Sequence, residues 1–444
     1  MNPRTRFRRL LPVVFPLIGC LLQGSARGVD EVRFPVKFNS VYRLEGSSDG
    51  KAWRVLEPAI LGRASDWVRP RRELPEGIGE VRLVPESVAD LRPMLEKLRE
   101  KHHVPALGAL LIRSNRVVAA GVVGVRVEGT DAPAMLGDRW HHGSLTKSMT
   151  ATLAATLVEE GRLTWTNSLG EILGPKVPHM HPAWREVTLS QLLRHRGGAP
   201  DQESLVQQGI WPEIWKRRGP IRERRLHWLT AVTTNAPAAS PGTRYLYSNS
   251  GYVFAGMMLE AVTGETWENL MQARVFRPLG MSTAGFGAPG ERGRTNQPWG
   301  HQWISDRPVG TPPGRFADNP SALGPAGTVH ASLFDLAKYL MSHARQGSGE
   351  GVRLLSPETF RRLHEPEPGE TYAFGWSAGN RIWAGGTALN HTGSNTQWFS
   401  NAWVAPRKQA ALLVVTNIGD GTGKAAFTVT DEVLSRMIAN YLGR

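Results

Sequence analysis

The sequence predicts a mixed α/β fold, with a sheet assembled from both ends of a large domain, a helical block inserted between its halves, and a small β-rich module ahead of it. Three observations predict this. Two strand-like runs, 106–113 and 116–127, flank a tight turn at Ser114-Asn115. Helical periodicity then dominates to about Leu279. Strand-like runs return at 398–405 and 410–416, and 428–442 closes the chain as a helix.

A length of 444 residues admits one large domain with a small companion. Residues 1–26 read as an export signal, in which Arg4, Arg6, Arg8 and Arg9 precede an apolar run at 10–22 too short to span a bilayer comfortably. Gly24-Ser25-Ala26 offers an ordinary cleavage site. Leu17-Ile18-Gly19-Cys20 offers a lipoprotein site in which Cys20 carries the lipid, although Leu21 and Leu22 continue the apolar run past it. Membrane association depends on that lipidation, and an exported chain without it is periplasmic or extracellular. Cys20 is the only cysteine, so no intrachain disulfide forms.

Residues 29–85 read as a β-rich accessory module of the sandwich sort, with strands near 32–38, 41–44, 53–56 and 80–84. Gly46-Ser47-Ser48-Asp49-Gly50 matches the G-x-S-x-G pattern of a nucleophile elbow. That pattern needs a strand–turn–helix corner, and a strand-like run follows here, so it reads as a hairpin turn. From residue 87 to 444 the main domain begins with a helix over 87–102, where Leu91, Met94, Leu95 and Leu98 recur at helical spacing.

Lys and Arg exceed Asp and Glu by 53 to 39, and the excess is densest at Lys216, Arg217, Arg218, Arg222, Arg224 and Arg225. No zinc-finger spacing or aromatic–basic stripe accompanies this run, which argues against nucleic acid as a partner. It reads as a solvated basic face able to attract anionic polymers or headgroups. No pattern in the sequence specifies an oligomeric state.

Three segments carry chemistry. In Ser144-Leu145-Thr146-Lys147 a serine stands at a helix start, with a lysine one turn on and facing the same side. Met149, Leu153 and Leu157 give that helix one buried face. A serine hydroxyl needs a base, and a desolvated lysine can serve as one. Tyr247-Ser248-Asn249 supplies a phenol able to relay a proton if cationic neighbours lower its pKa, and an amide able to bind a substrate amide. In His391-Thr392-Gly393-Ser394 the glycine admits a substrate backbone beside an edge strand, and the N–H of Ser394 can join that of Ser144 in an oxyanion hole.

Together, and in this order, these motifs resemble the serine β-lactamase and penicillin-binding protein superfamily, class C β-lactamases and related esterases and D-aminopeptidases above all. The resemblance covers roughly residues 87–440 and extends to Val104-Pro105-Ala106, Leu192-Leu193-Arg194-His195-Arg196-Gly197-Gly198 and Gly324-Pro325-Ala326-Gly327. It implies a β-lactamase-like antiparallel sheet flanked by helices, an acyl-enzyme on Ser144, Lys147 as base, and Tyr247 as proton relay. It further implies that Asn249 and Gln202 contact substrate amides beside residues 391–394. The implied substrate is a small molecule or a peptidoglycan-like peptide, and no cofactor or metal is implied.

One residue departs from the β-lactamase pattern: His391 stands where that pattern has lysine. A neutral histidine recognises a substrate carboxylate poorly, which favours esters or D-aminoacyl amides over lactams. No glutamate of the class A deacylating kind is evident, so Lys147 and Tyr247 must also activate water. Two other readings compete. A zinc hydrolase is disfavoured by the absence of H-E-x-x-H and because adjacent His141 and His142 cannot easily face one metal. A silent module that binds peptidoglycan or a protein would have no need to keep serine, lysine and tyrosine together.

Overall fold

The computed structural model describes residues 31–63, 66–348, 352–419 and 425–443. The expected export signal and Cys20 lie outside them. The N-terminal region holds β1 (Glu31–Pro35), β2 (Val41–Ser47), β3 (Arg54–Leu61), β4 (Asp66–Pro70) and β5 (Glu80–Pro85). β2 is the centre of an antiparallel sheet between β3 and β5, and β1 pairs with β4, a strand that the sequence pattern does not show. The glycine-bearing G-x-S-x-G stretch is the β2–β3 hairpin, where the Asp49 carboxylate accepts the N–H groups of Lys51 and Ala52 at 2.9 Å each. Leu44, Leu56 and Ile60 make a small core of their own, whereas Val41, Ala59 and Leu61 join the main core of the chain.

The main domain opens with β6 (Ala89–Asp90), α1 (Arg92–Lys101), β7 (Ala106–Arg113) and β8 (Arg116–Gly124). α1 begins later than its apolar spacing suggests, because Ala89 and Asp90 first pair with β8 and Pro93 suits only the first helical turn. Ser114 and Asn115 take φ of 48° and 61°, the mirror-image turn that matches strand twist. β9 (Arg139–His141) leads into the helical block. That block comprises α2 (Thr146–Glu159), α3 (Leu169–Leu173), α4 (Pro182–Arg185), α5 (Leu189–Leu193), α6 (Gln202–Gln207), α7 (Ile210–Lys216), α8 (Ile221–Thr233), α9 (Asn249–Thr263) and α10 (Trp267–Met271).

The return path holds β10 (Gly285–Phe286), β11 (Gly300–Ile304), β12 (Arg307–Thr311), α11 (Gly324–Gly327), β13 (Val329–Ser332), α12 (Leu333–Arg345) and α13 (Pro357–His364). The chain ends through β14 (Ser377–Arg381), β15 (Gly386–Ser394), β16 (Phe399–Ala405), β17 (Ala410–Thr416) and α14 (Ala425–Tyr441).

The main sheet has seven strands in the order β14-β15-β16-β17-β7-β8-β6, antiparallel throughout except at β6. β17 pairs with β7, so the two ends of the domain meet at the sheet's centre. These central strands bury both faces. Leu110, Ile112, Leu413 and Val415 enter the core shared with the helical block, and Leu107, Leu111, Leu412 and Val414 pack under α1 and α14.

α2 departs from its expected single buried face. It runs through the centre of the block with eleven of its fourteen residues buried. Its polar residues are satisfied internally: Ser148 Oγ donates to the Leu145 carbonyl at 2.8 Å and Thr150 Oγ1 to that of Pro325 at 2.6 Å. Among the described residues no helix is long and apolar enough to cross a membrane.

Candidate active site

Three separate segments converge at the start of α2. His142 is fully buried, with Nδ1 3.0 Å from Ser400 Oγ and Nε2 3.2 Å from the Ala331 carbonyl oxygen, which pins the chain just ahead of Ser144. Gly143 then takes φ of 49°, a left-handed conformation that a side chain resists, and the turn Gly143–Leu145 delivers Ser144 to the cleft. Lys147 follows in the first turn of α2, fully buried.

Lys147 Nζ lies 2.9 Å from Ser144 Oγ, 2.8 Å from Asn249 Oδ1 and 2.8 Å from the carbonyl oxygen of Ala326. Among the described residues no carboxylate is a partner of this ammonium. Burial therefore pushes the ammonium well below its ordinary range, towards the neutral amine a base requires.

Tyr247 approaches from the opposite side and donates its O–H to Ser144 Oγ at 2.8 Å. Its pKa runs against the sequence expectation. Desolvation of the phenol raises it and the Ser144 hydrogen bond opposes the rise only in part, although Tyr247 keeps 37% of its surface exposed at the cleft. The resting group is a phenol rather than a phenolate. Ser248 caps α9 through Ser250 N–H, which places Asn249 at the first turn. Asn249 Nδ2 then donates to Gln202 Oε1 at 3.3 Å, so Gln202 stands at the exposed mouth of the same cluster.

The third segment is the end of β15. β14 accompanies β15 only as far as Asn390, leaving 391–394 as an open edge. This edge passes against the Ser144 turn at backbone distance. A Cβ on Gly393 would collide with the His142 carbonyl and lie 2.8 Å from the Ser144 nitrogen. Ser394 uses its own hydroxyl locally, donating to the Trp398 carbonyl at 2.8 Å. Thr392 is half-buried on the same edge.

His391, on the same edge, is buried and hydrogen-bonded within the protein. Its Nδ1–H donates to the Thr392 carbonyl, and Nε2 accepts the Tyr372 O–H at 3.1 Å. Burial pushes this imidazole down to about 3, so it is neutral.

The structure adds residues that sequence reasoning did not single out. The Ala326 carbonyl, in the glycine–proline stretch of α11, is the second acceptor for Lys147. His195 takes φ of 57°, accepts the Ser248 N–H at 3.1 Å, and stacks 4.4 Å from Tyr247 and 4.9 Å from Tyr372. Burial holds it neutral, so it acts as a packing wall behind Tyr247. Both segments are visible as motifs in the sequence. Tyr372 carried no signal beyond an aromatic ahead of Gly375-Trp376.

Corrections extend to the basic run. Arg225 is not on a solvated face: it is fully buried, paired with Glu260 and Glu268 at 2.5 Å each. His141 and His142 point to different partners, His141 Nε2 lying 2.8 Å from Asp318.

A family model described as Beta-lactamase matches residues 91–434. The chain belongs to that family. This β-lactamase-family chain is 26% identical over 351 residues to penicillin-binding protein 4 of Amycolatopsis lactamdurans, covering 76% of this chain and 87% of the relative. An octameric penicillin-binding protein homologue from Pyrococcus abyssi shares the fold at a TM-score of 0.62, with 23% identity over 79% of this chain and 78% of that one. A D-stereospecific amidohydrolase from Streptomyces sp. superimposes at 0.60, with 21% identity over 80% of this chain and 98% of the other. The antiparallel sheet, the inserted helices and the family together make this chain a hydrolase of the β-lactamase and penicillin-binding protein superfamily.

Proposed function

We propose that the protein is an exported serine hydrolase that forms an acyl-enzyme on Ser144 and prefers ester or D-aminoacyl amide carbonyls to lactams. The observation that carries this reading is the bonding of Lys147. Asn249 Oδ1 and the Ala326 carbonyl can only accept, so they take both N–H bonds of the neutral amine. The remaining lone pair faces Ser144 Oγ at 2.9 Å.

From that arrangement Ser144 attacks the carbonyl carbon as its proton passes to Lys147. The oxyanion is received by the N–H groups of Ser144 and Ser394, on the turn and strand edge that Gly143 and Gly393 bring together. Tyr247 gives its proton to the leaving oxygen or nitrogen and is reprotonated from Lys147. Water repeats the sequence in reverse and frees Ser144.

Neutral His391 supports the substrate preference, since it offers no fixed charge to a lactam's carboxylate. The D-stereospecific amidohydrolase among the similar structures is in keeping with amides of D-residues, peptidoglycan-like peptides included. Export rests on the signal-like residues 1–26, with a membrane anchor only if Cys20 is lipidated.

The test is intact mass of residues 27–444 after a fluorophosphonate and, separately, a penicillin. We expect one phosphonate adduct, absent in Ser144→Ala, and slower or no penicillin adduct. Labelling by neither reagent would favour a silent binding module.

A further inference from the structure

The basic run that the catalytic reading leaves unexplained divides in the structure. Arg225 turns into the core, but Arg218 and Arg224 face a cavity of about 270 Å³ between the α7–α8 connection and residues 314–321. Arg315 enters it from the far side, held by a hydrogen bond to the Trp215 carbonyl, and Trp215 stacks on Phe316 at 6.1 Å to bridge the two walls.

Cations outnumber carboxylates along this cavity by three to two. Both carboxylates also have partners outside the arginine trio: Glu268 shares Arg225 with Glu260 at 2.5 Å, and Asp318 meets His141 at 2.8 Å and Asn395 Nδ2 at 2.9 Å. Among the described residues, Arg218 has no hydrogen-bond or ion-pair partner. Arg224 reaches only the Ser321 hydroxyl, at 2.6 Å, and its Nε is buried without a partner. Burial and then the neighbouring Arg225 and Arg218 lower the proton affinity of Arg224. Three guanidinium groups around one concavity, Arg224 half-buried and Arg218 and Arg315 exposed at its rim, offer converging charge-assisted contacts to an anion.

We propose that this cavity is a second binding site, for an oxyanion-bearing small molecule, a phosphate or a polycarboxylate, held by Arg218, Arg224 and Arg315. Its wall also reaches the catalytic cluster. Asn319 Nδ2 donates to the Gly327 carbonyl at 3.0 Å, one residue from the Ala326 carbonyl that binds Lys147. The site is distinct from Ser144 and does not depend on the acyl-enzyme reading.

The experiment is calorimetric titration of the full mature chain with inorganic phosphate and with tricarballylate, at constant ionic strength set by chloride. Saturable one-to-one binding of at least one anion is expected. It should weaken about tenfold or more in Arg218→Gln and in Arg315→Gln, each removing one charge-assisted contact. Arg217→Gln, an exposed neighbour outside the cavity, should bind as the parent does. Tighter phosphate assigns a phosphoryl ligand, and tighter tricarballylate a polycarboxylate. Binding of neither anion, or binding equally weakened by Arg217→Gln, would overturn the proposal, and circular dichroism of each variant checks that it is folded.

Discussion

At the scale of single residues, the chemistry depends on which protons are where. Burial without a carboxylate lowers the proton affinity of Lys147, the direction the proposed base requires, and two carbonyl acceptors aim what remains of its bonding at Ser144. Lys147→Arg cannot take that role, since guanidinium stays protonated and its planar fork does not fit a point-charge site. Lys147→Arg and Tyr247→Phe should each lower kcat by about 10²- to 10⁴-fold in an ester assay. The acidic limb of kcat/KM should reflect Lys147: its folded pKa is depressed, so activity persists to pH values far below 10.5 and falls once acid protonates the amine. His391→Lys places a cation beside the cleft, and the ratio of penicillin acylation to ester turnover should rise. An unchanged ratio would remove His391 from substrate selection.

At the scale of elements, the site exists because a turn and a strand edge touch without side chains between them. Gly143 supplies the left-handed turn, and Gly393 lets β15 reach the Ser144 nitrogen. Gly393→Val should push the edge away from the turn. Overpacking at such a contact costs about 1–3 kcal/mol, and the separated N–H groups would no longer share an oxyanion. Thermal midpoint and fluorophosphonate labelling rate should both fall. Gly379→Ala on β14, where an added Cβ meets only Arg381 Nη1 at 3.4 Å, should change neither.

At the scale of the whole molecule, the N-terminal strands are welded to the catalytic fold. Lys338 on α12 reaches Glu57 of β3 at 2.8 Å and Asp335 at 3.0 Å, and Arg69 of β4 closes on Glu57 from the other side. Burial alone would push Lys338 down, but Asp335 and Glu57 outweigh it and hold the ammonium charged. Glu57→Ala leaves two buried cations short of a partner and should cost about 3–5 kcal/mol, read by urea denaturation. The chain also buries neutral histidines. Burial lowers His142, His364 and His391 to about 3, and His301 and His330 to about 4, from an ordinary 6.5. The unfolded chain binds more protons between those values, so stability rises with pH across that window and is lost as pH falls below about 6.5. Each such group contributes up to about 1.4 kcal/mol per pH unit, and melting temperatures at pH 5 should lie well below those at pH 7.5.

The sequence by itself determined the order of the sheet's two halves, the serine–lysine turn, and the tyrosine–asparagine segment. Each depends on spacing along the chain: one helical turn joins Ser144 to Lys147, and two residues join Tyr247 to Asn249. The protonation states and backbone partners came from tertiary structure alone. The burial of α2 lowers the proton affinity of Lys147, desolvation raises that of Tyr247, and the Ala326 carbonyl lies 179 positions beyond the lysine it orients. Arg225 and Arg218 look alike in the sequence, yet one closes a buried ion pair and the other lines an open cavity. Local spacing determines which side chains can meet within a turn. Burial and long-range contacts determine the charge they carry once they meet.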